Sequence, residues 1–418
     1  MKQSGIDWIG EIPDDWKINQ LSQIVSQVKN KNNGLKENNL LSLSYGKIKR
    51  KNINTNDGLL PASFDGYNII SDGDIVLRLT DLQNDHTSLR VGRATEQGII
   101  TSAYTTLHPV DYDNSKYLYY ILHSFDLKKG FYGMGSGVRQ GLNYDEVKTL
   151  KVPLPPKATQ QSIAEYLDKK VSEIDSIIEE SKKSIEEYKA WKQSVIFEAV
   201  TGKNLNCKKK DSGIEWIGKI PEGWEVRALK TLFRIFSGTT PRSDRAEFWD
   251  GDIKWITPAD FSTEDIFISN GKRNISNKGF KSHSLEMIPA GNLIFSKRAP
   301  IGKVCINTDE ICTNQGCLAC VKKIDLNIKF FYYFISTLTE YFELLGSGTT
   351  FKEISLSAFS DFKISYPPLP EQESIAKMLD SKCTQIDSLI AEKESLIADL
   401  TEYKKSLIFE VVTGKRSV

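Results

Sequence analysis

The sequence predicts an α+β protein built twice over. Two α/β domains, each dominated by a curved β-sheet, are joined by two long helices that pair as an antiparallel coiled coil, giving an internal pseudo-two-fold repeat. Three observations carry this. The segment SGIDWIGEIPDDW from Ser4 returns as SGIEWIGKIPEGW from Ser212. QQSIAEYLDKKVSEIDSII from Gln160, with IFEAVTGK ending at Lys203, returns as QESIAKMLDSKCTQIDSLI from Gln372, with IFEVVTGK ending at Lys415. Between the matched ends, residues 21–153 and 229–367 differ almost throughout. A long period present only twice marks a duplicated domain with its connector, not a solenoid.

Taken in order, the first domain is expected over residues 1–156, the first long helix over 157–203, a linker over 204–211, the second domain over 212–369 and the second helix over 370–416. Within the first domain, residues 40–108 alternate short strand-like runs with turns such as Asn56-Asp57-Gly58 and Ser71-Asp72-Gly73-Asp74. A helix follows near residues 115–125. The second domain repeats the plan, with strands between 253 and 321 and a helix over about 329–344. Trp8, Trp16, Trp216 and Trp224 recur in both copies and read as core anchors.

The helices announce themselves by apolar spacing. Leu167, Val171, Ile174, Ile178, Ile185, Tyr188 and Val195 form a heptad-like seam, repeated as Leu379, Cys383, Ile386, Ile390, Ile397, Leu400 and Leu407. Ser181 and Lys393 interrupt the two seams at matching places. PLPP from Pro153 and PPLP from Pro367 precede the helices, and Thr-Gly at Thr201 and Thr413 ends them. Each runs for about 40 residues, roughly 60 Å at the α-helical rise. A seam needs a cover: either the two helices pack on each other, or each packs on its own domain.

Composition narrows the function. The chain has 418 residues, 39% of them hydrophobic, with a net charge of only +1, so any nucleic-acid surface must come from local segregation of charge. No apolar run reaches the roughly 20 residues needed to span a bilayer, and no signal segment opens the chain, so a cytoplasmic location is expected. Cys207 and Cys383 stand apart, whereas Cys305, Cys312, Cys317 and Cys320 cluster. The cluster lacks the paired spacing of a zinc site and has no counterpart in the first copy, so buried strand cysteines are expected and no metal.

Catalytic motifs are missing too. Lys47, Lys203, Lys219, Lys272, Lys303 and Lys415 follow glycine outside any phosphate-loop frame. His86, His108, His123 and His283 form neither a metal motif nor a triad pattern, and the glycines at Gly133 to Gly137 lack a dinucleotide fingerprint. No catalytic residue is expected.

The order and duplication of these motifs resemble the DNA specificity subunit of type I restriction-modification systems. The motifs are WIG-x-IP-x-x-W twice, GSGVRQGLN from Gly135 and GSGTTFKEI from Gly346, and the SIA helices ending in VTGK. The likeness spans nearly the whole chain. It implies two target-recognition domains reading an asymmetric, bipartite site in double-stranded DNA, with the helices as spacer. It also implies two methyltransferase subunits and restriction/translocase subunits as partners. Those partners would carry S-adenosylmethionine, ATP and Mg together with adenine methylation and cleavage, leaving no cofactor in this chain. The competing expectation is a symmetric coiled-coil scaffold that binds only proteins.

Candidate DNA contacts are basic and small polar residues in the variable domains, since phosphate contacts supply affinity and base-edge contacts supply specificity. In the first domain these are Lys47, Lys49, Arg50, Lys51, Arg78, Arg90 and Arg93, with Ser136, Arg139 and Gln140 in the glycine loop. In the second they are Thr240, Arg242, Ser243, Arg245, Lys297 and Arg298, with Ser347, Thr349, Thr350 and Lys352 in its loop, and Lys272 and Arg273 as a further basic pair. The bland readings stay open beside these: solvated surface cations, and glycine turns that only join domain to helix.

Overall fold

The computed structural model describes the chain except residues 54–60, 62, 135–140, 263–264, 284 and 349–351. It forms two compact units: residues 1–182 with 394–418, and residues 183–393. The long helices, Lys157–Thr201 and Leu369–Val412, are therefore divided, each unit taking a piece of both.

In the first unit, four antiparallel strands form the main sheet: β1 (Val25–Gln27), β2 (Ile75–Leu77), β3 (Val91–Arg93) and β4 (Thr105–Pro109), in the order β1-β4-β2-β3. Leu107 on β4 sits opposite both Gln27 and Ile75. Every residue of β2 is buried, as expected of a strand with neighbours on both sides and a face in the core shared with a helix. That helix, α1 (Ser115–Leu127), buries most of its length in the same core.

The second unit repeats the order with different residues. Strands β5 (Phe233–Ser237), β6 (Phe267–Ile268), β7 (Leu293–Ser296), β8 (Val304–Asn307) and β9 (Cys317–Lys322) lie as β5-β9-β7-β8-β6. In this sheet β6, parallel to β8, is added to the order of the first unit's main sheet. The second-domain helix expected over about 329–344 is broken: α2 (Ile328–Ser336) ends at Thr337, and a separate turn of helix, Thr339–Leu345, follows. At the break, Thr337 Oγ1 donates to the Phe334 carbonyl at 2.8 Å.

Each repeat opens in a small hairpin and closes in a two-stranded ribbon. Lys151–Leu154 pairs with Lys17–Gln20, and Lys363–Tyr366 with Glu225–Ala228. Near the helix starts, the buried Gln160 and Gln372 each donate Nε2 to a proline carbonyl, Pro155 or Pro367, at 2.8 Å, and Gln372 Oε1 also accepts from the Asn327 amide at 3.0 Å.

The seams pack as a pair. Leu167, Ile174 and Ile178 share a core with Leu407, Ile408 and Val411 in the first unit, and Ile196 and Val200 share one with Leu379 and Cys383 in the second, where Ile386 is also buried. In each unit the early part of one helix thus meets the late part of the other, as antiparallel packing requires. Ile185 is buried, and Ile390 and Ile397 are half-buried. Asp175 pairs with Lys404 at 2.6 Å and its repeat partner Asp387 with Lys192 at 2.7 Å. Ser181 is buried with the seam, and Lys393 is half-buried.

The Thr-Gly ends have matching sockets. Thr201 and Thr413 each bond the carbonyl four residues back, of Phe197 and Phe409, at 2.6 Å. Gly202 and Gly414 then turn with φ of +71° and +72°, against Pro221 and Trp224 in one unit and Pro13 and Trp16 in the other. Trp16 and Trp224 are buried; Trp8 and Trp216 are half-buried among aromatic rings.

Candidate nucleic-acid interface

In the second unit, the central strand β7 delivers Lys297 and Arg298 to the surface. The Lys297 amide donates to the Gly316 carbonyl at 3.0 Å, and the Ile354 amide donates to the Lys297 carbonyl at 3.1 Å. Glu353 then binds both cations: Oε1 lies 2.7 Å from the Lys297 ammonium and Oε2 3.2 Å from the Arg298 guanidinium. The Lys297 hydrogen bond holds the Glu353 carboxyl below the usual carboxylate range against the opposing effect of burial. Ser347 and Glu353 exchange backbone hydrogen bonds of 3.1 Å in both directions. The glycine loop is thereby fastened at both ends to Lys297 and Arg298.

The segment from Ser237 joins the same place. Gly238 passes so close to Thr313 that a Cβ would fall 1.9 Å from the Thr313 carbonyl oxygen, so only glycine fits. Ser237 Oγ donates to the Gln315 and Cys317 carbonyls at 3.3 and 3.2 Å, and Thr240 Oγ1 donates to Gln315 Oε1. Two tryptophans brace this loop, Trp249 Nε1 donating to the Arg242 carbonyl and Trp255 Nε1 to the Thr239 carbonyl. Three stretches far apart in sequence thus converge around Gln315 and Glu353. Neither residue was a sequence candidate; the Asn314-Gln315-Gly316 turn, closed by Asn314 Oδ1 on the Gly316 amide at 2.9 Å, was the available signal.

The other second-unit candidates are exposed. Arg242 forks onto Asp244 at 3.2 and 2.8 Å, a pairing that lowers the Asp244 carboxyl, and Arg245 lies 3.6 Å from Glu247. Ser243, Lys272, Ser347 and Lys352 face solvent, and Arg273 lies over the Trp249 ring at 3.9 Å.

In the first unit the candidates divide. Lys47, Lys49, Arg50 and Lys51 are exposed on or beside the hairpin Leu41–Ser44 and Lys47–Arg50, with Lys47 on Asp175 at 3.3 Å and Arg50 forked onto Glu96. Arg78, half-buried, lies 3.7 Å from Asp85.

Arg90 corrects the expectation: it is fully buried (0% exposed). Its guanidinium donates to the Thr80, Asp81 and Asp85 carbonyls and to the Tyr132 hydroxyl, and its amide to Asp126 Oδ2 at 2.6 Å. Arg93 is largely buried as well, donating to Ser115 Oγ at 2.7 Å and pairing with Asp72 at 3.3 Å. Arg90 holds loops together and presents no guanidinium to a groove, whereas Arg93 keeps 14% of its side chain exposed beside Asp72. Ser136, Arg139, Gln140, Thr349 and Thr350 lie outside the described residues.

The clustered cysteines lie on strands and are buried, with free thiols; burial raises all four, Cys312 to about 12. Among the described residues no group of three or more His, Cys, Asp or Glu is placed to hold a metal, and no helix is long and apolar enough to cross a membrane.

Comparison with known proteins matches this arrangement. The family described as "Type I restriction modification DNA specificity domain" covers residues 13–187 and again 221–397. The putative type I restriction enzyme MjaX specificity subunit of Methanocaldococcus jannaschii is 27% identical, covering 97% of this chain and 95% of that protein. The MjaIX specificity subunit of the same organism is 39% identical over 181 residues, but that match spans only 41% of the relative's length. Among solved structures, a chain of a type I R-M system aligns over 97% of this chain and 100% of its own, with a TM-score of 0.76 at 16% identity. The HsdS subunit of Thermoanaerobacter tengcongensis aligns over the full length of both chains with a TM-score of 0.58 at 15% identity. With the specificity domain present twice across most of its length, this chain belongs to the type I restriction-modification DNA specificity family.

Proposed function

We propose that the protein reads a bipartite, asymmetric site in double-stranded DNA, one half through residues 1–156 and the other through residues 212–369. The long helices would set the gap between the halves. The chain directs two methyltransferase subunits, which supply S-adenosylmethionine chemistry on adenine, and restriction/translocase subunits, which supply ATP- and Mg-dependent cleavage. Its place of action is the cytoplasm. The observation that carries the reading is the convergence of Thr240, Lys297, Arg298, Ser347 and Gln315 on one part of the second unit. The two units also share a strand order but differ in side chains, which supports two unlike half-sites.

The DNA-facing set in the second unit is Thr240, Arg242, Ser243, Arg245, Lys297, Arg298, Gln315, Ser347 and Lys352, with Thr349 and Thr350 carried from the sequence. In the first it is Lys47, Lys49, Arg50, Lys51, Arg78 and Arg93, with Ser136, Arg139 and Gln140. Exposed, solvent-screened ion pairs such as Arg242 with Asp244 contribute little to stability, so they are readily exchanged for phosphate. Replacing residues 21–153 by the equivalent from a relative changes one half-site only, read as the pattern of methylated bases. A change in both halves, or a complex with no sequence preference, would favour the protein-binding scaffold instead.

A further inference from the structure

We propose that Glu353 is a positioning residue for the second half-site: it fixes Lys297 and Arg298 in the orientation from which they meet DNA. This rests on the half-site reading above. The geometry carries it. One carboxylate grips two cations that are adjacent in sequence, through different oxygens, at 2.7 and 3.2 Å. The same residue is locked by its backbone to Ser347, and its neighbour Ile354 is locked to the Lys297 carbonyl. Lys297 is only 12% exposed on its side chain, so its ammonium has a defined seat and does not sweep through solvent.

Lysine and arginine side chains sample many rotamers, and fixing them before binding removes an ordering cost that otherwise blunts discrimination between sequences. Glu353 carries one negative charge against two positive ones, so the cluster stays net cationic while its donors are held in place. On the far side of Lys297, its amide bond to Gly316 keeps it in register with Gln315 and Thr240, the polar groups suited to a base edge. A purely electrostatic role makes a different forecast: a carboxylate that merely competes with DNA phosphate weakens binding and leaves base preference alone.

The experiment uses the full chain assembled with its methyltransferase subunits and two duplex libraries, one randomised in each half-site. Glu353→Gln keeps the volume and an acceptor but removes the charge. It is expected to lower discrimination at the second half-site about tenfold, the scale of one mismatched base pair, with the first half-site unchanged. Glu353→Asp, which keeps the charge, is expected to restore most of the preference.

Two results overturn the assignment: an unaltered second half-site preference, whatever happens to affinity, or equal losses at both half-sites. If the unsubstituted protein selects nothing from either library, the half-site reading itself falls, and that result is distinct from the other two.

Discussion

Arg90 and Arg242 are the same residue type in the same kind of variable domain, yet one is enclosed by carbonyl groups and the other lies open on an aspartate. Sequence can nominate both and cannot separate them, because burial depends on which strands and loops surround the residue. For the same reason Glu353 and Gln315 escaped notice: an acidic residue and an amide stand out only once the chain has brought cations and hydroxyls beside them. Two buried titratable groups on α1 show how enclosure affects stability. His123, buried and stacked on Tyr119 at 5.4 Å, has its pKa pushed down to about 4, first by burial and then by Lys404, with Asp175 opposing. Unfolded histidine takes up a proton near pH 6.5, so the stability from neutral His123 is complete above that value and is lost as the pH falls toward 4. Asp126 acts the other way. Burial raises its carboxyl to about 6 despite the Arg90 amide, so its contribution is complete below 3.8 and is lost as the pH rises through 6. In denaturant unfolding between pH 4 and 6.5, Asp126→Asn should therefore leave stability rising with pH, and His123→Phe should leave it falling. Each change should be on the order of 2 kcal/mol. Slopes of the same sign in the two variants would show that these groups do not govern the profile.

Among the elements, the long helices were the most legible, because seven-residue spacing and the Thr-Gly stop are local signals. Their pairing with each other was an inference from the need to cover the seam, and the shared cores of the two units provide that cover. The broken helix at Thr337 was not legible, since its sequence is apolar enough to run on. Helix ends make a sharper forecast. At Gly414 the backbone is left-handed, and a Cβ would sit 2.4 Å from Pro13 Cδ, so strain and collision act together. Gly414→Ala is expected to destabilise the first unit by roughly 1–3 kcal/mol, and Gly202→Ala to do the same to the second, seen as separate shifts in unfolding midpoint. A neutral result at either glycine would mean that the proline socket yields more easily than its packing implies.

For the molecule as a whole, the duplication was legible and the cut between units was not. Repeated text reveals two copies of a plan; it does not reveal that residues 394–418 complete the unit begun at Met1. Deleting one heptad from each long helix should shorten the distance the pair spans by about 10 Å, or roughly three base pairs. The methylated site should then keep both half-sequences and change only the number of bases between them; an altered half-sequence would contradict a spacer role.

The divided first unit also bears on how the protein is made. Leu407, Ile408, Val411 and Val412 belong to the core that starts at Ile6, whereas the second unit is the unbroken stretch 183–393. On the ribosome, the half translated first must wait for residues 394–418 to emerge, and the half translated second can close ahead of it. Completion of the cores thus runs opposite to the direction of synthesis.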